Sequence, residues 1–357
     1  MSRPFWSGRR VLITGHTGFK GSWLSLWLQR LGSDVVGFSR GRPTTPALFD
    51  VARVDDAMVS IEGDVLDGEH LAAVVAQHRP DIVFHLAAQP LVREAYRDPV
   101  GTYATNVLGT VHVLDAVRRA GVARVVINVT TDKVYENREW EWGYREDEAL
   151  GGIDPYASSK ACSELVTTAF RRSYFEPAGG PALATVRAGN VIGGGDWAVD
   201  RLIPDLIRGA LEGLPVLIRN PDAVRPWQHV LNPLDGYLTL AERLWEEPEH
   251  GHGWNFGPDP QDAKPVGWIA DRLGELWGEG LSWVREEGES PHEAHYLRLD
   301  SSLAASRLGW RPRWGLEEAL ASIVEFGRAQ QAGEDLRPLA LAQIEAFGSE
   351  RPLAAGC

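Results

Sequence analysis

The run Arg10-Val-Leu-Ile-Thr14 is short, apolar and of strand type, and Gly15-His-Thr-Gly-Phe-Lys-Gly21 follows it at once. A helix-like run, Ser22-Trp-Leu-Ser-Leu-Trp-Leu-Gln-Arg-Leu31, comes directly after. A strand, a glycine-rich turn and a helix in that order constrain the fold more than any other feature of the chain. Such a turn lets backbone approach a pyrophosphate, which then sits on the helix N-terminus, where free N–H groups and the dipole favour negative charge. The spacing is GxxGxxG rather than GxGxxG, and three glycines alone carry little in a chain with 38 of them. The flanking strand and helix make the turn a dinucleotide-binding signal. Gly15, Thr17, Gly18, Phe19, Lys20 and Gly21 are the candidate contacts.

The rest of the first half repeats the alternation. Strand patterns are expected at 33–39, 59–64, 82–86, 125–129 and 183–187, with helical patterns at 71–78 and 109–120 between them. Strands alternating with helices imply right-handed crossovers and a parallel sheet covered on both faces. The fold class is therefore α/β, a Rossmann-type doubly wound parallel sheet with a smaller mixed α/β C-terminal substrate domain. From about residue 190 the composition shifts to Pro, Gly and Trp with short helices. The expected division is a dinucleotide-binding domain over 1–188, with 228–258 returning to it, and a second, discontinuous domain over 189–345.

Two constellations carry acid–base chemistry. Tyr156 and Lys160 stand four apart, which places them on one helix face. An ammonium beside a phenol favours the phenolate, so Tyr156 is expected to act as a base below its ordinary value of about 10. Thr131-Asp132-Lys133 comes after the fifth strand and offers a second proton-transfer centre. Asp132 reads either as an acid or as the N-cap of the next helical turn. Lys133 reads either as a base, if burial and nearby positive charge lower its affinity for protons, or as a partner of a phosphate or of Glu136.

Composition narrows the partners. A net charge of −13 over 357 residues disfavours nucleic acid and anionic membrane. Two cysteines, Cys162 and Cys357, make no disulfide framework, and no metal-ligand spacing occurs. No run approaches 18 apolar residues, so a cytoplasmic location is expected.

GxxGxxG, Gly63-Asp64, His85-Leu-Ala-Ala-Gln89 and Tyr156-xxx-Lys160 resemble the extended short-chain dehydrogenase/reductases, whose sugar-nucleotide branch includes 4,6-dehydratases and 4-epimerases. The runs at 131–137, 154–162, 187–197 and 225–230 are similar to the branch members that dehydrate a CDP-hexose. The resemblance implies NAD as cofactor and CDP-glucose as substrate. It implies Tyr156, assisted by Thr131, as the base at the sugar C4 hydroxyl, with Lys160 beside it. Asp132 would then be the acid at the leaving C6 oxygen and Lys133 the C5 base. It also implies that helices matching 109–120 and 159–172 build a homodimer or a dimer of dimers.

Other positions are suggested by their place in that fold. Leu86, Ala87, Ala88, Gln89 and Asn106 are expected around the cofactor, and Asp64 at its adenine. Ser39-Arg40 ends the second strand, where an acidic residue often marks NAD and an arginine NADP. The resemblance favours NAD there. His16 and His85 read as packing or backbone-bonding residues. Asn190, Asp196, Arg201 and Arg225 are the expected nucleotide-sugar contacts, the arginines because their fork suits a diphosphate. Trp227 is open between stacking on the nucleotide and filling the core.

Overall fold

The computed structural model describes residues 3–286 and 297–349. Its centre is a seven-stranded, all-parallel sheet. The strands are β1 (Arg10–Thr14), β2 (Asp34–Ser39), β3 (Val59–Glu62), β4 (Ile82–His85), β5 (Val125–Val129), β6 (Ala182–Arg187) and the short Gly253–Asn255. Their spatial order is Gly253–Asn255, β6, β5, β4, β1, β2, β3. The order reverses between β1 and β4, and in open α/β sheets ligands bind in the crevice at that point, beyond the carboxyl ends. Here the crevice lies between the glycine turn after β1 and residues 86–89 after β4.

The strands are continuously apolar because helices cover both faces. Val125, Ile127 and Val129 point to a face covered by Phe19–Leu31 and Leu231–Glu246, whereas Val126 points to the face covered by Gly68–His78 and Gly109–Ala120. A third apolar cluster, built on Leu202–Glu212, Val266–Trp277 and Leu316–Gln331, forms the core of the later region.

Local chemistry explains where the elements differ from the sequence reading. The first helix begins at Phe19, three residues early, because Gly18 caps it from extended backbone. Strand β3 stops at Glu62, since the Asp64 carboxylate accepts from Leu66 N–H at 2.9 Å and turns the chain. The helix carrying Tyr156 begins at Pro155, with Asp154 capping it by accepting from Ala157 N–H at 2.9 Å. Helix Pro99–Tyr103 runs through a π turn, Ala104–Leu108, into Gly109–Ala120. Among the described residues no helix is long and apolar enough to cross a membrane. Cys357 lies outside the described residues.

Candidate active site

The glycine turn is built as a cofactor cradle requires. A Cβ on Gly21 would lie 2.2 Å from the Gly15 carbonyl oxygen, so the turn closes this tightly only with glycine. Gly18 offers no side-chain cap and the first turn of Phe19–Leu31 holds no acidic residue. Its first N–H groups are therefore left for an anion. Lys20 stands in that turn, half-buried, and burial followed by Arg201's charge pushes it down to about 8. Thr17 Oγ1 bonds Ser39 Oγ at 2.7 Å and donates to Gly41 O, tying the turn to the end of β2. Asp64 lies 3.5 Å from Arg40, so the arginine after β2 already faces a carboxylate. That pairing fits a free ribose better than a 2′-phosphate.

Below the crevice, buried polar groups lock together. Thr14 and His85 are register partners, and their side chains meet at 2.7 Å. His85 Nε2 reaches Thr110 Oγ1 at 3.2 Å, and burial pushes the imidazole down to about 3, so it is a neutral packing residue. His16 is likewise held neutral, at about 4, with Nε2 on Ser60 Oγ at 2.8 Å. Gln89 and Asn106 serve each other: Gln89 N–H donates to Asn106 Oδ1 at 2.8 Å, and Asn106 Nδ2 donates to Gln89 O and Ser159 Oγ. Gln89 Nε2 donates to Leu91 O and Thr102 Oγ1. These two amides brace the segment after β4 rather than project from it. Leu86, Ala87 and Ala88 present backbone there, half-buried.

The acid–base residues gather at the end of β5. Thr131, Asp132, Tyr156 and Lys160 are all buried. Thr131 Oγ1 donates to Asp132 Oδ1 at 3.0 Å and also bonds the Tyr156 phenol. Three expectations change. First, burial pushes Tyr156 up to about 12, with Thr131's bond pulling against it and Asp132's charge adding to it. The Lys160 ammonium donates to the Val129 carbonyl at 2.9 Å; burial pushes that lysine down to about 8, with Glu164 pulling it back. Second, the cap of Asp132–Val134 is Thr131, whose Oγ1 accepts from Lys133 N–H at 3.4 Å, so Asp132 is no cap. Third, Lys133 is exposed, so the protein alone does not bury it.

On the substrate side, Arg201 pairs with Asp196 at 3.0 Å, and its charge reaches both Tyr156 and Lys20. Asn190 adopts a left-handed φ of 47° just past β6, and its carbonyl accepts from Gln228 N–H. Arg225 lies half-buried, with Nη1 donating to the Val224 carbonyl at 3.0 Å. Trp227 meets the core alternative of its two readings. It is buried in the later core with Ile192 and Ile269, its Nε1 donating to Lys264 O at 3.0 Å, so the core alternative holds and the ring is no stacking platform.

Sequence reading missed two groups of residues. Glu164, two turns after Tyr156, accepts from Thr130, Thr185 and both Nε and Nη2 of Arg187. The side chains of Arg187 and Glu164 are 5% and 3% exposed. Burial pushes the Glu164 carboxyl up, but Arg187 more than reverses it. Gln228 and Tyr237, both buried, approach Asp132 from behind. The available signal was a glutamine and a tyrosine on otherwise apolar segments.

Known proteins resemble this chain in sequence and in fold. The family model described as "NAD dependent epimerase/dehydratase family" matches residues 11–257. The chain is 54% identical over 341 residues to a CDP-glucose 4,6-dehydratase of Salmonella typhimurium, covering 94% of this chain and 95% of that one. Solved structures share the fold. A dTDP-glucose 4,6-dehydratase of Bacillus anthracis in complex with NAD superposes with a TM-score of 0.75 at 22% identity, over 93% of this chain and 100% of that one. A UDP-glucose-4-epimerase of Stenotrophomonas maltophila gives 0.80 at 22%, over 91% and 99%.

Proposed function

The chain belongs to the NAD dependent epimerase/dehydratase family, and on that footing we propose that it converts CDP-glucose to the 4-keto-6-deoxy sugar nucleotide with loss of water. Beyond the likeness to the Salmonella dehydratase, one observation supports dehydration rather than epimerisation. Asp132 is a second buried acid–base group, bonded to Thr131 on the Tyr156 side of the site. A 4-epimerase has no use for it.

Bound NAD supplies hydride acceptance at the sugar C4 and hydride return at C6. The cradle of residues 15–21, Ser39, Arg40 and Asp64 holds it, with Leu86–Gln89 and Asn106 forming the opposite wall. Tyr156 takes the C4 hydroxyl proton, Thr131 orienting the phenol. A phenol held at about 12 is a poor base at neutral pH. Turning Lys160 from the Val129 carbonyl toward it lowers that value, because adjacent positive charge favours phenolate. The 4-ketone then acidifies C5. Lys133 accepts the C5 proton, the C6–O bond breaks, and Asp132 gives its proton to the departing oxygen, which leaves as water; Lys133 then returns its proton to C5 as the hydride goes back to C6. Arg201 and Arg225 take the diphosphate, with Asn190 and Asp196 completing that side.

Incubation with CDP-glucose and NAD tests the reading. The expected product shows the ultraviolet chromophore of a 4-keto-6-deoxyhexose in strong base, and Tyr156→Phe lowers turnover by roughly a hundred- to a thousandfold while NAD binding persists. Turnover of a dTDP- or UDP-sugar but not CDP-glucose overturns the base assignment, and an epimer as product overturns dehydration.

We also read the chain as a homodimer. Val100 and Leu108 on the segment leading into Gly109–Ala120, and Leu165 on Pro155–Phe170, are 78%, 46% and 60% exposed. An apolar face of that kind on neighbouring helices marks an interface. Light scattering should give twice the 39.3 kDa chain mass or a multiple of it; a monomer mass removes the reading.

A further inference from the structure

Three buried polar atoms in this part of the molecule have no protein partner among the described residues: Asp132 Oδ2, Gln228 Oε1 and Tyr237 Oη. Their residues are 2%, 2% and 0% exposed. Asp132 presents Oδ1 to Thr131, the side of the reacting sugar, and turns Oδ2 to Gly189, where a Cβ would lie 1.7 Å from it. The same glycine's carbonyl accepts from Gln228 Nε2 at 3.4 Å, and Phe256 O accepts from that nitrogen at 2.9 Å. The Tyr237 ring packs edge-on against Phe256, with centroids 5.7 Å apart. Gly189 and Phe256 therefore link the three side chains: Asp132 abuts Gly189, Gln228 bonds both, and Tyr237 packs on Phe256. Burial pushes the Tyr237 phenol up, and the charges of Asp132 and Tyr156 add to that, which puts it within electrostatic reach of the reaction centre.

Donors and acceptors do not close among these three. The phenol has one hydrogen to give, and both Asp132 Oδ2, with the acid proton on Oδ1, and the amide oxygen of Gln228 need one. A single water closes the count by accepting from Tyr237 and donating to Asp132 and Gln228, the three partners a buried water usually has. We propose that Tyr237 and Gln228 are positioning residues that hold a structural water on Asp132 Oδ2, and that this water fixes the orientation in which Oδ1 delivers a proton to the leaving C6 oxygen. The proposal rests on Asp132 being the elimination acid.

The test uses the full chain with NAD and CDP-glucose. Tyr237→Phe and Gln228→Leu should each lower kcat by roughly tenfold, a fraction of the contribution usual for a general acid, with KM within about twofold. Borohydride trapping should recover more 4-ketohexose with its C6 hydroxyl intact, since elimination is the slowed step. In an Asp132→Asn background neither change should lower the residual rate further. Wild-type kcat and trapping in both single variants overturn the proposal while leaving Asp132 in place. So does a loss that persists undiminished without the Asp132 carboxylate, or one confined to melting temperature and KM. Should Asp132→Asn itself eliminate at the normal rate, the acid assignment falls first and this inference with it.

Discussion

The two faces of the sheet around β5 differ in the buried polar groups nearest the site, although Asn232 and Asp235 on Leu231–Glu246 are bonded to Trp314 and Arg313. On the face toward Pro155–Phe170, those groups are tied in a chain: Thr14 to His85, His85 to Thr110, Thr110 to Ser163, and Asn128 Nδ2 to Ser163 and Thr167. Only Asn128 Oδ1 in that chain lacks a partner among the described residues. Toward Leu231–Glu246, Tyr237 Oη, Gln228 Oε1 and His229 Nε2 are buried with no protein partner among those residues. Net gain from a made hydrogen bond is modest, but a stranded one costs more, so a satisfied network rigidifies and an unsatisfied one signals another occupant. The first face holds Tyr156 and Lys160 in place. The second supports the part of the site that distinguishes elimination from simple oxidation.

That contrast separates stability from chemistry in mutants. The largest structural effect is expected at Glu164, on the helix that carries Tyr156. Glu164→Gln leaves Arg187 buried among groups that no longer neutralise it, and breaking a buried pair in this way costs about 3–5 kcal/mol. Urea unfolding should show the loss as a lower midpoint with unchanged slope. Tyr237→Phe, on the other face, should change stability by less than about 1 kcal/mol, because it removes a hydroxyl that bonds no described residue. A Glu164→Gln midpoint equal to that of the parent would mean the first face is not the stabilising one.

How much of this was legible in the sequence divides along the same line. The β1 turn, the alternation of strands and helices in a parallel sheet and the placement of Tyr156 and Lys160 on one helix were readable, since each rests on short-range periodicity and spacing. The burial of His16 and His85 was readable for the same reason. What failed depended on three-dimensional surroundings. Lys160 sits four residues from Tyr156, yet its ammonium finds the Val129 carbonyl, and desolvation then decides the phenol's value. Lys133 comes after a buried aspartate but is exposed, because a 3₁₀ turn rotates consecutive side chains by about 120°. Trp227 lies in a run rich in site-like residues, and only the later core shows what it fills. Glu164 and Tyr237 carried no motif, because Arg187 is 23 residues from Glu164 and Asp132 more than 100 from Tyr237 in sequence.

The histidines give the finest comparison. Burial holds His85 and His229 near 3 and His16 near 4, against 6.5 for an exposed imidazole, and His252 shifts the same way. Between those values the unfolded chain binds protons that the native protein refuses, so the contribution is complete above pH 6.5 and is lost as pH falls toward 3–4. Each of the first three removes about 1.4 kcal/mol per pH unit inside that window, or about 2 kcal/mol each by pH 5. Thermal melts should therefore fall steadily from pH 6.5 to 5, and a flat profile would show that these rings are not buried neutral. His85→Phe and His229→Phe should each flatten the slope by one proton. The first should destabilise the protein more at pH 7, because it removes bonds to both Thr14 and Thr110, whereas His229 accepts at Nδ1 from Leu231 N–H and its Nε2 has no partner to lose among the described residues. Equal losses at pH 7 would erase the distinction between the two faces at the level of single hydrogen bonds.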